Sequence, residues 1–259
     1  MQVTVQMVRE WLDGLAPFDT AEAYDNVGLL VGQGSAPVER ILFCVDATYE
    51  VVKEALRQGA GLIVSHHPLM FGGIRRIDYD TPEGRILQAM LAARLSLIAA
   101  HTNLDKAPGG IGDSLARALG LQGVTPLGEY ARMGALPQGL EAGELRAYVS
   151  RCLGAPVRLY GEAEGPISQV AVGPGAAGEG AWDAALAGAQ AYVVGEIKHH
   201  ELLGATAQGL LVLEAGHHAS EAAGMKALCE GFQVMAAQKG WSAAALWFSQ
   251  APFPGALCR

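Results

Sequence analysis

The sequence predicts an α/β protein built from two successive series of strands and helices. Short apolar runs alternate with helical patterns along most of the chain, which is typical of strands covered by helices. A connection that contains Gly and Pro, near 123–130, interrupts this alternation, and a second series follows it. With 259 residues, 51% of them hydrophobic, the chain can bury one large core or two smaller ones.

The first series begins with a helix at 4–15, whose apolar residues share one face and which Pro17 follows. Thr81-Pro82 is a helix start signal before the third helix of this series. The predicted strands are 27–31, 41–45, 62–64 and 97–100, and the further predicted helices are 49–58 and 83–94.

The second series follows a helical pattern that begins at Asp113. Its predicted strands are 132–136, 157–160, 169–172, 192–194 and 210–213, and its predicted helices are 141–152, 181–189 and 220–238. A last strand at 243–248 remains, and it can join either sheet.

Composition excludes several classes of protein. The net charge of −8 argues against nucleic acid as a partner. The longest apolar stretch, 86–100, contains Gln88 and Arg94 and is shorter than the ~20 residues of a membrane helix. The N-terminal segment is charged where a secretory signal is apolar, and the four cysteines form no CxxC pair. We therefore expect a soluble protein of the reducing cytoplasm, with no membrane partner.

Histidine is confined to four short segments. The seven histidines occur as the pairs His66-His67, His199-His200 and His217-His218 and as the single His101. Each segment follows a predicted strand, where open α/β sheets collect their ligands. Since imidazole is the commonest protein ligand of transition metals, this pattern predicts a metal site.

Two carboxylates accompany the histidines at a spacing of four. Asp105 follows His101 and Glu221 follows His217 at this distance, which places each pair on one face if the segment is helical. A carboxylate has two oxygens, which can bridge two cations. Neighbouring side chains on an extended strand point to opposite faces, so a histidine pair there suits two ions unless the chain bends sharply. We therefore predict a dinuclear centre.

Structural roles compete at several of these positions. His101 can be a core histidine, Asp105 a loop acid or helix cap, and Glu221 a first-turn acid matched to a helix dipole. His199-His200 can instead lie on a solvated helix face.

Five ordered motifs resemble one known family. They are YDNVGLLVG, SHHPLMF, AHTNLD, GEIKHHE and AGHHASE, and they extend over nearly the whole chain. The chain resembles the dinuclear-metal-centre proteins known as type 2 GTP cyclohydrolase I homologues, or NGG-interacting-factor-like proteins. Two features depart from the family pattern. His218 follows the ligand position, where an aromatic residue is common, and GGIRR at 72–76 replaces a turn that often contains proline and lysine.

The resemblance implies two linked α/β lobes with the metal site between them. The first lobe would be 1–126, with 230–259 returning to it, the second would be 127–229, and the subunits would form a homohexameric ring. The resemblance also implies two divalent cations, with Glu221 as the bridge, and whether His217 or His218 binds stays open. The implied metal ligands are His66, His67, Asp105, His217 and Glu221.

Metal-dependent hydrolysis is the predicted function. Imidazoles and carboxylates without thiolate favour zinc, iron, manganese or nickel over magnesium, and two such cations lower the pKa of a bridging water toward ~7. The resemblance implies ring opening of a nucleotide, as in a GTP cyclohydrolase. The alternative is a non-catalytic metal-binding regulatory or scaffold protein that forms a ring-shaped oligomer.

Further polar residues are candidates for supporting roles. The catalytic candidates for proton transfer are His101 and His200. Asn26, Asn103 and Glu196 are candidates for orienting other groups. Basic residues near the motifs that can take an anionic group are Arg75, Arg76, Lys106 and Lys198.

Overall fold

The computed structural model describes residues 1–249, which divide into two compact α/β units. Unit 1 comprises residues 1–108 and 225–249, and unit 2 comprises Gly109–Gly224. The predicted fold class is therefore confirmed. Residues 250–259, which the sequence analysis assigned with 230–249 to the first lobe, lie outside the described residues.

The strands of the described chain include every strand that the sequence predicts. In chain order they are β1 (Val3–Thr4), β2 (Gly28–Val31), β3 (Pro37–Val38), β4 (Arg40–Cys44), β5 (Leu62–Ser65), β6 (Ser96–Ala99), β7 (Gln122–Leu127), β8 (Ala131–Leu140), β9 (Arg158–Tyr160), β10 (Ile167–Gly173), β11 (Ala191–Val194), β12 (Leu211–Glu214) and β13 (Ala244–Trp247).

The helices agree with the predicted positions to within a few residues, apart from α4 and α8, for which no range is predicted. They are α1 (Val5–Leu15), α2 (Tyr49–Arg57), α3 (Pro82–Ala92), α4 (Thr102–Lys106), α5 (Ile111–Ala118), α6 (Ala142–Leu153), α7 (Ala181–Leu186), α8 (His199–Ala207) and α9 (His217–Lys239). The first three helices, α1, α2 and α3, begin in the same way. In each, the side chain of the threonine before the helix accepts a hydrogen bond from a backbone amide of the first turn, and these residues are Thr4, Thr48 and Thr81. Within residues 1–249, no helix combines the length and the apolar character needed to cross a bilayer.

The main sheet of unit 1 has the order β13-β4-β5-β6-β2. The first four strands are parallel, and β2 pairs antiparallel with β6 at the edge. The final strand, which the sequence left free to join either sheet, therefore belongs to unit 1. Phe232 of α9 is fully buried against the rings of Trp11, Phe43 and Trp241, with centroids 5.1, 5.8 and 6.1 Å away. These aromatic contacts attach α9 to one face of the sheet.

The sheet of unit 2 has the order β7-β8-β10-β11-β12-β9. Its central strands β10, β11 and β12 are parallel, and the outer strands are antiparallel to their neighbours. Alternate residues of these strands face two separate clusters, so that Val193 packs with Leu115 on one face and Tyr192 packs with Ala184 on the other. Burial on both faces explains why the central strands are uninterrupted apolar runs.

Strand β7 lies where the sequence predicts a connection, at 123–130, so that prediction is wrong. Residues Gln122–Leu127 pair antiparallel with β8, and the register shifts between Gln122 and Thr125. Gly123, with φ +60°, lies in this irregularity, and Pro126 is tolerated because β7 is an edge strand. The Gly and Pro residues thus mark a bulged edge strand instead of a loop.

An ion pair in unit 2 makes part of the stability depend on pH. Burial alone would raise the pKa of Asp113, but the Arg132 Nε group, 2.9 Å from its Oδ1, and the backbone amide of Gly109 hold this pKa below its ordinary value. A lowered folded pKa stabilises the protein above the unfolded pKa, and this contribution is lost as the pH falls through the folded pKa.

We therefore expect the Asp113→Asn variant to lose less stability than the wild type as the pH falls from about 4 toward about 2. Urea unfolding at a series of pH values measures this difference. Asp183→Asn, at an exposed position of α7, is the control and should follow the wild-type slope. Equal slopes for Asp113→Asn and the wild type would contradict the assignment.

Candidate metal centre

The site residues of unit 1 lie at the carboxyl ends of three neighbouring parallel strands. Asp46 follows β4, His66 and His67 follow β5, and His101 follows β6. Parallel strands that are adjacent in a sheet end at one edge, so their following residues are brought together. The predicted relation between strand ends and histidine segments is confirmed.

The chain turns sharply after β5, which changes the expected orientation of the histidine pair. The backbone amides of His66 and His67 both donate to the Val45 carbonyl, at 3.1 and 3.0 Å, and the Ser65 hydroxyl donates to the His67 carbonyl at 2.7 Å. The two rings consequently lie 5.0 Å apart. An extended strand would direct the two side chains to opposite faces, and this turn is the sharp bend that was the predicted exception.

Three imidazoles form a cluster in unit 1. The ring of His101 lies 5.1 Å from that of His66 and 5.3 Å from that of His67, between centroids. One potential ligand nitrogen from each of the three rings lies within 4.8 Å of the others. Asp105, on α4, places Oδ1 3.5 Å from Nε2 of His66. The unit therefore holds three nitrogen donors and a carboxylate in one small volume, a combination that suits a transition metal.

Each ring of the cluster has an oxygen acceptor at Nδ1. Nδ1 of His66 lies 2.8 Å from the Ala100 carbonyl, and Nδ1 of His67 lies 2.8 Å from Oδ1 of Asp46. Nδ1 of His101 lies 3.0 Å from both oxygens of Asp25. A carbonyl can only accept, so in neutral His66 the proton is on Nδ1 and the lone pair is on Nε2. Metal-binding histidines commonly have such a partner on the second nitrogen.

Electrostatics keep His101 neutral. Burial, followed by the charge of neighbouring His66, lowers the pKa of His101, although Asp25 acts in the opposite direction. The pKa of Asp25 is also lowered, because its hydrogen bonds from Thr102 and His101 outweigh the effect of burial. The carboxylate is therefore ionised and the imidazole is neutral near pH 7.

The site residues of unit 2 also follow parallel strands. Gly175 follows β10, Glu196 follows β11 and His217 follows β12. Helix α9 begins at His217, three residues before the predicted start, so His217 and Glu221 share one helix face. Nε2 of His217 lies 3.0 Å from Oε1 of Glu221, and Nδ1 lies 3.2 Å from Oε2 of Glu196. These contacts belong to His217, and His218 is half-buried beside it.

A glycine makes room for this pair. Gly175 has φ +61°, and a Cβ atom there would collide with Oε1 of Glu221 and would lie 3.2 Å from Nε2 of His217. Its backbone amide donates to the Ser220 hydroxyl at 2.9 Å, and that hydroxyl donates to the His217 carbonyl at 2.7 Å. Ser220 thus connects the loop after β10 to the first turn of α9.

The asparagines have structural hydrogen bonds. The amide of Asn103 donates to the Ala16 carbonyl at 2.7 Å, and its oxygen accepts from the His101 backbone at 2.9 Å. The amide of Asn26 donates to the Met70 carbonyl at 2.6 Å. Both residues therefore fix the backbone around the histidine cluster.

The remaining candidates lie mainly at the surface. His199 and His200 are exposed at the start of α8, and no group of potential metal ligands within residues 1–249 includes them. Lys198 pairs with Glu201 at 3.3 Å and Lys106 pairs with Glu22 at 2.7 Å. Arg75 and Arg76 are exposed.

Four residues of the site were not predicted from the sequence: Asp25, Asp46, Gly175 and Ser220. Asp46 comes directly after the apolar run of β4. It therefore has the same position after a strand that identified the histidine segments as candidates. Asp25 directly precedes Asn26 in the first motif, but its partner His101 is 76 residues away. The sequence gives no local signal for that contact or for the space that Gly175 provides.

Histidines and carboxylates at the ends of parallel strands, in each of two units, define an α/β protein with groups suited to divalent metals. The family model for Duf34/NIF3 (NGG1p interacting factor 3) matches residues 3–253, and the chain belongs to this family. The predicted resemblance is therefore confirmed.

Relatives of known name and structure agree with this assignment. The chain is 36% identical over 225 residues to a Streptomyces coelicolor protein named GTP cyclohydrolase 1 type 2 homolog, covering 81% of this chain and 79% of the relative. A Clostridium perfringens protein of the same name is 32% identical, with coverage of 81% and 84%. A Bacillus cereus protein related to NIF3 has the same fold, with a TM-score of 0.92, 21% identity, and coverage of 98% and 99%. Staphylococcus aureus SA1388 has a TM-score of 0.91 at 26% identity, with coverage of 97% and 98%.

Proposed function

We propose that this protein is a hydrolase that depends on two divalent metal ions and acts on a nucleotide. The observation that carries the proposal is the cluster of three imidazoles in unit 1, with a potential ligand nitrogen of each ring within 4.8 Å of the others. The name of the two curated relatives, GTP cyclohydrolase 1 type 2 homolog, supports a purine nucleotide as the substrate.

The proposed ligands are those that the family resemblance implies, namely His66, His67, Asp105, His217 and Glu221. Nitrogen and carboxylate donors without thiolate fit zinc, iron, manganese or nickel. When bound, such ions provide a nucleophile at neutral pH, because they lower the pKa of water.

His101 is the proposed proton acceptor in unit 1. It is neutral near pH 7 and lies beside His66 and His67, so it can take a proton from an attacking water. In the proposed reaction, successive additions of water open the five-membered ring of the base and release formate.

Metal analysis combined with a turnover assay tests the proposal. We expect two divalent ions per chain in the protein as isolated, together with formate release from a purine nucleoside triphosphate that stops after chelation and returns with metal. The control is phosphate release from the same samples, which separates ring opening from phosphate hydrolysis. Bound metal without turnover of any nucleotide would instead favour a non-catalytic regulatory or scaffold protein.

The family resemblance also supports a homohexamer, which we propose as the assembled form. Light scattering coupled to gel filtration should then give six times the 27.0 kDa of one chain. A monomeric mass across a range of protein concentrations would refute this assembly.

A further inference from the structure

We propose that Asp25 is a positioning residue that keeps the ring proton of His101 on Nδ1 and presents the Nε2 lone pair to His66 and His67. The role of His101 in turnover rests on the proposed function, whereas the position of its proton does not. The Asp25 side chain is fully buried, and both of its oxygens lie 3.0 Å from Nδ1 of His101.

Donors surround the Asp25 carboxylate. Its Oδ2 accepts from the Thr102 backbone amide at 3.1 Å and from the Thr102 hydroxyl at 2.6 Å. Its Oδ1 accepts from the Asn26 backbone amide at 2.8 Å. A buried carboxylate with these neighbours is an acceptor only, so Nδ1 of His101 must bring a proton to the contact.

The segment that carries Asp25 is fixed in place by other bonds. The Glu22 amide donates to the Thr102 hydroxyl at 3.0 Å, and the Asp25 amide donates to the Glu22 carbonyl at 2.9 Å. With the Asn26 bond to Met70, these contacts connect the first motif to the segments after β5 and β6. The carboxylate is therefore held at a defined position, which a residue that sets a tautomer requires.

The geometry predicts the consequence of an Asp25→Asn substitution. Two donors of Thr102 point to the Oδ2 position, so the amide oxygen of asparagine should occupy it. The amide nitrogen then takes the Oδ1 position, where it faces Nδ1 of His101 and no longer accepts from the Asn26 backbone amide. This nitrogen can only donate, and the two Thr102 donors take both lone pairs of the amide oxygen, so the proton of His101 should move to Nε2 and remove the lone pair from the cluster.

Ring-nitrogen NMR of the metal-free protein tests this directly. In ¹⁵N-histidine-labelled wild type, above the pKa of His101, we expect Nδ1 of His101 to have the shift of a protonated nitrogen and Nε2 that of an unprotonated one. In Asp25→Asn we expect the reverse, with Nε2 of His101 at the shift of a protonated nitrogen and Nδ1 at that of an unprotonated one. A His101→Gln variant assigns the resonances.

Asp46→Asn is the matched control, because the same substitution is made beside the neighbouring ring of His67. It should leave the tautomer of His101 unchanged. If Asp25→Asn does not fold, the wild-type spectrum still decides, since an unprotonated Nδ1 in His101 would overturn the inference. A folded Asp25→Asn protein that keeps the wild-type tautomer would overturn it as well.

The loaded enzyme provides a second measurement. We expect Asp25→Asn to keep its metal content while kcat falls by about 10²–10⁴-fold, the usual contribution of a positioned base, with little change in KM. An unchanged kcat with an inverted tautomer would contradict the role of His101 in the proposed function and leave the inference about Asp25 intact.

Discussion

Replacing Glu221 with glutamine is expected to remove bound metal and to abolish hydrolysis without unfolding the protein. The Glu221 side chain is almost fully buried, at 4% exposure, and its Oε1 is 3.0 Å from Nε2 of His217. Glutamine keeps the size of the side chain but replaces the anionic oxygens that a bridging ligand needs. The metal would stabilise the transition state by several kcal/mol, and loss of this stabilisation corresponds to a fall in kcat/KM of about 10³-fold or more.

The control for this variant lies on the same helix. Glu230→Gln makes the same chemical change at an exposed position of α9, where Glu230 lies 3.9 Å from Lys226. It should retain the wild-type metal content and activity. The His67→Ala variant should resemble Glu221→Gln, because it removes one imidazole from the unit 1 cluster. Full metal content and activity in Glu221→Gln would show that this carboxylate is not a ligand.

Alanine at position 175 is expected to cause a comparable loss although it replaces none of the proposed ligands. Gly175 has φ +61°, and an added methyl group would collide with the Glu221 carboxylate. Alanine in this conformation costs about 1 kcal/mol, and the collision must also displace Glu221 or His217. We therefore expect Gly175→Ala to lose metal and activity while its unfolding free energy falls by about 1–2 kcal/mol.

Gly154→Ala separates the backbone cost from the displacement of the site. Gly154 has φ +63° at the end of α6, and nothing lies within 4 Å of an added Cβ. Urea unfolding should show a similar loss of stability in the two variants, whereas metal analysis should show a loss only in Gly175→Ala. If both variants retained metal equally, Gly175 would have no special role beside Glu221.

Much of the fold follows from local sequence pattern. The buried parallel strands β4, β5 and β6 are apolar runs, and the helices between them have threonine caps or a Thr-Pro start. His66, His67 and His101 follow these strands, and the carboxyl ends of neighbouring parallel strands lie at one sheet edge. The three histidines are therefore expected to lie together there, as the structure shows. Strand β7 was missed because its Gly and Pro residues indicate a turn unless the pairing with β8 is known.

The partners of the site residues depend on contacts distant in sequence. Asp25 reaches His101 across 76 residues, and Gly175 makes room for Glu221 on another element. The turn that brings His66 and His67 together depends on the carbonyl of Val45, the residue after the neighbouring strand β4. Such contacts arise from sheet order and loop packing, which local periodicity does not encode.

Anomalous diffraction from crystals grown with zinc or manganese tests the central claim most directly. Data collected on both sides of the metal absorption edge should show two strong peaks per chain, each at coordination distance from nitrogen or oxygen atoms of the five proposed ligands. Peaks confined to surface residues, or the absence of any peak at those five side chains in metal-soaked crystals, would contradict the account.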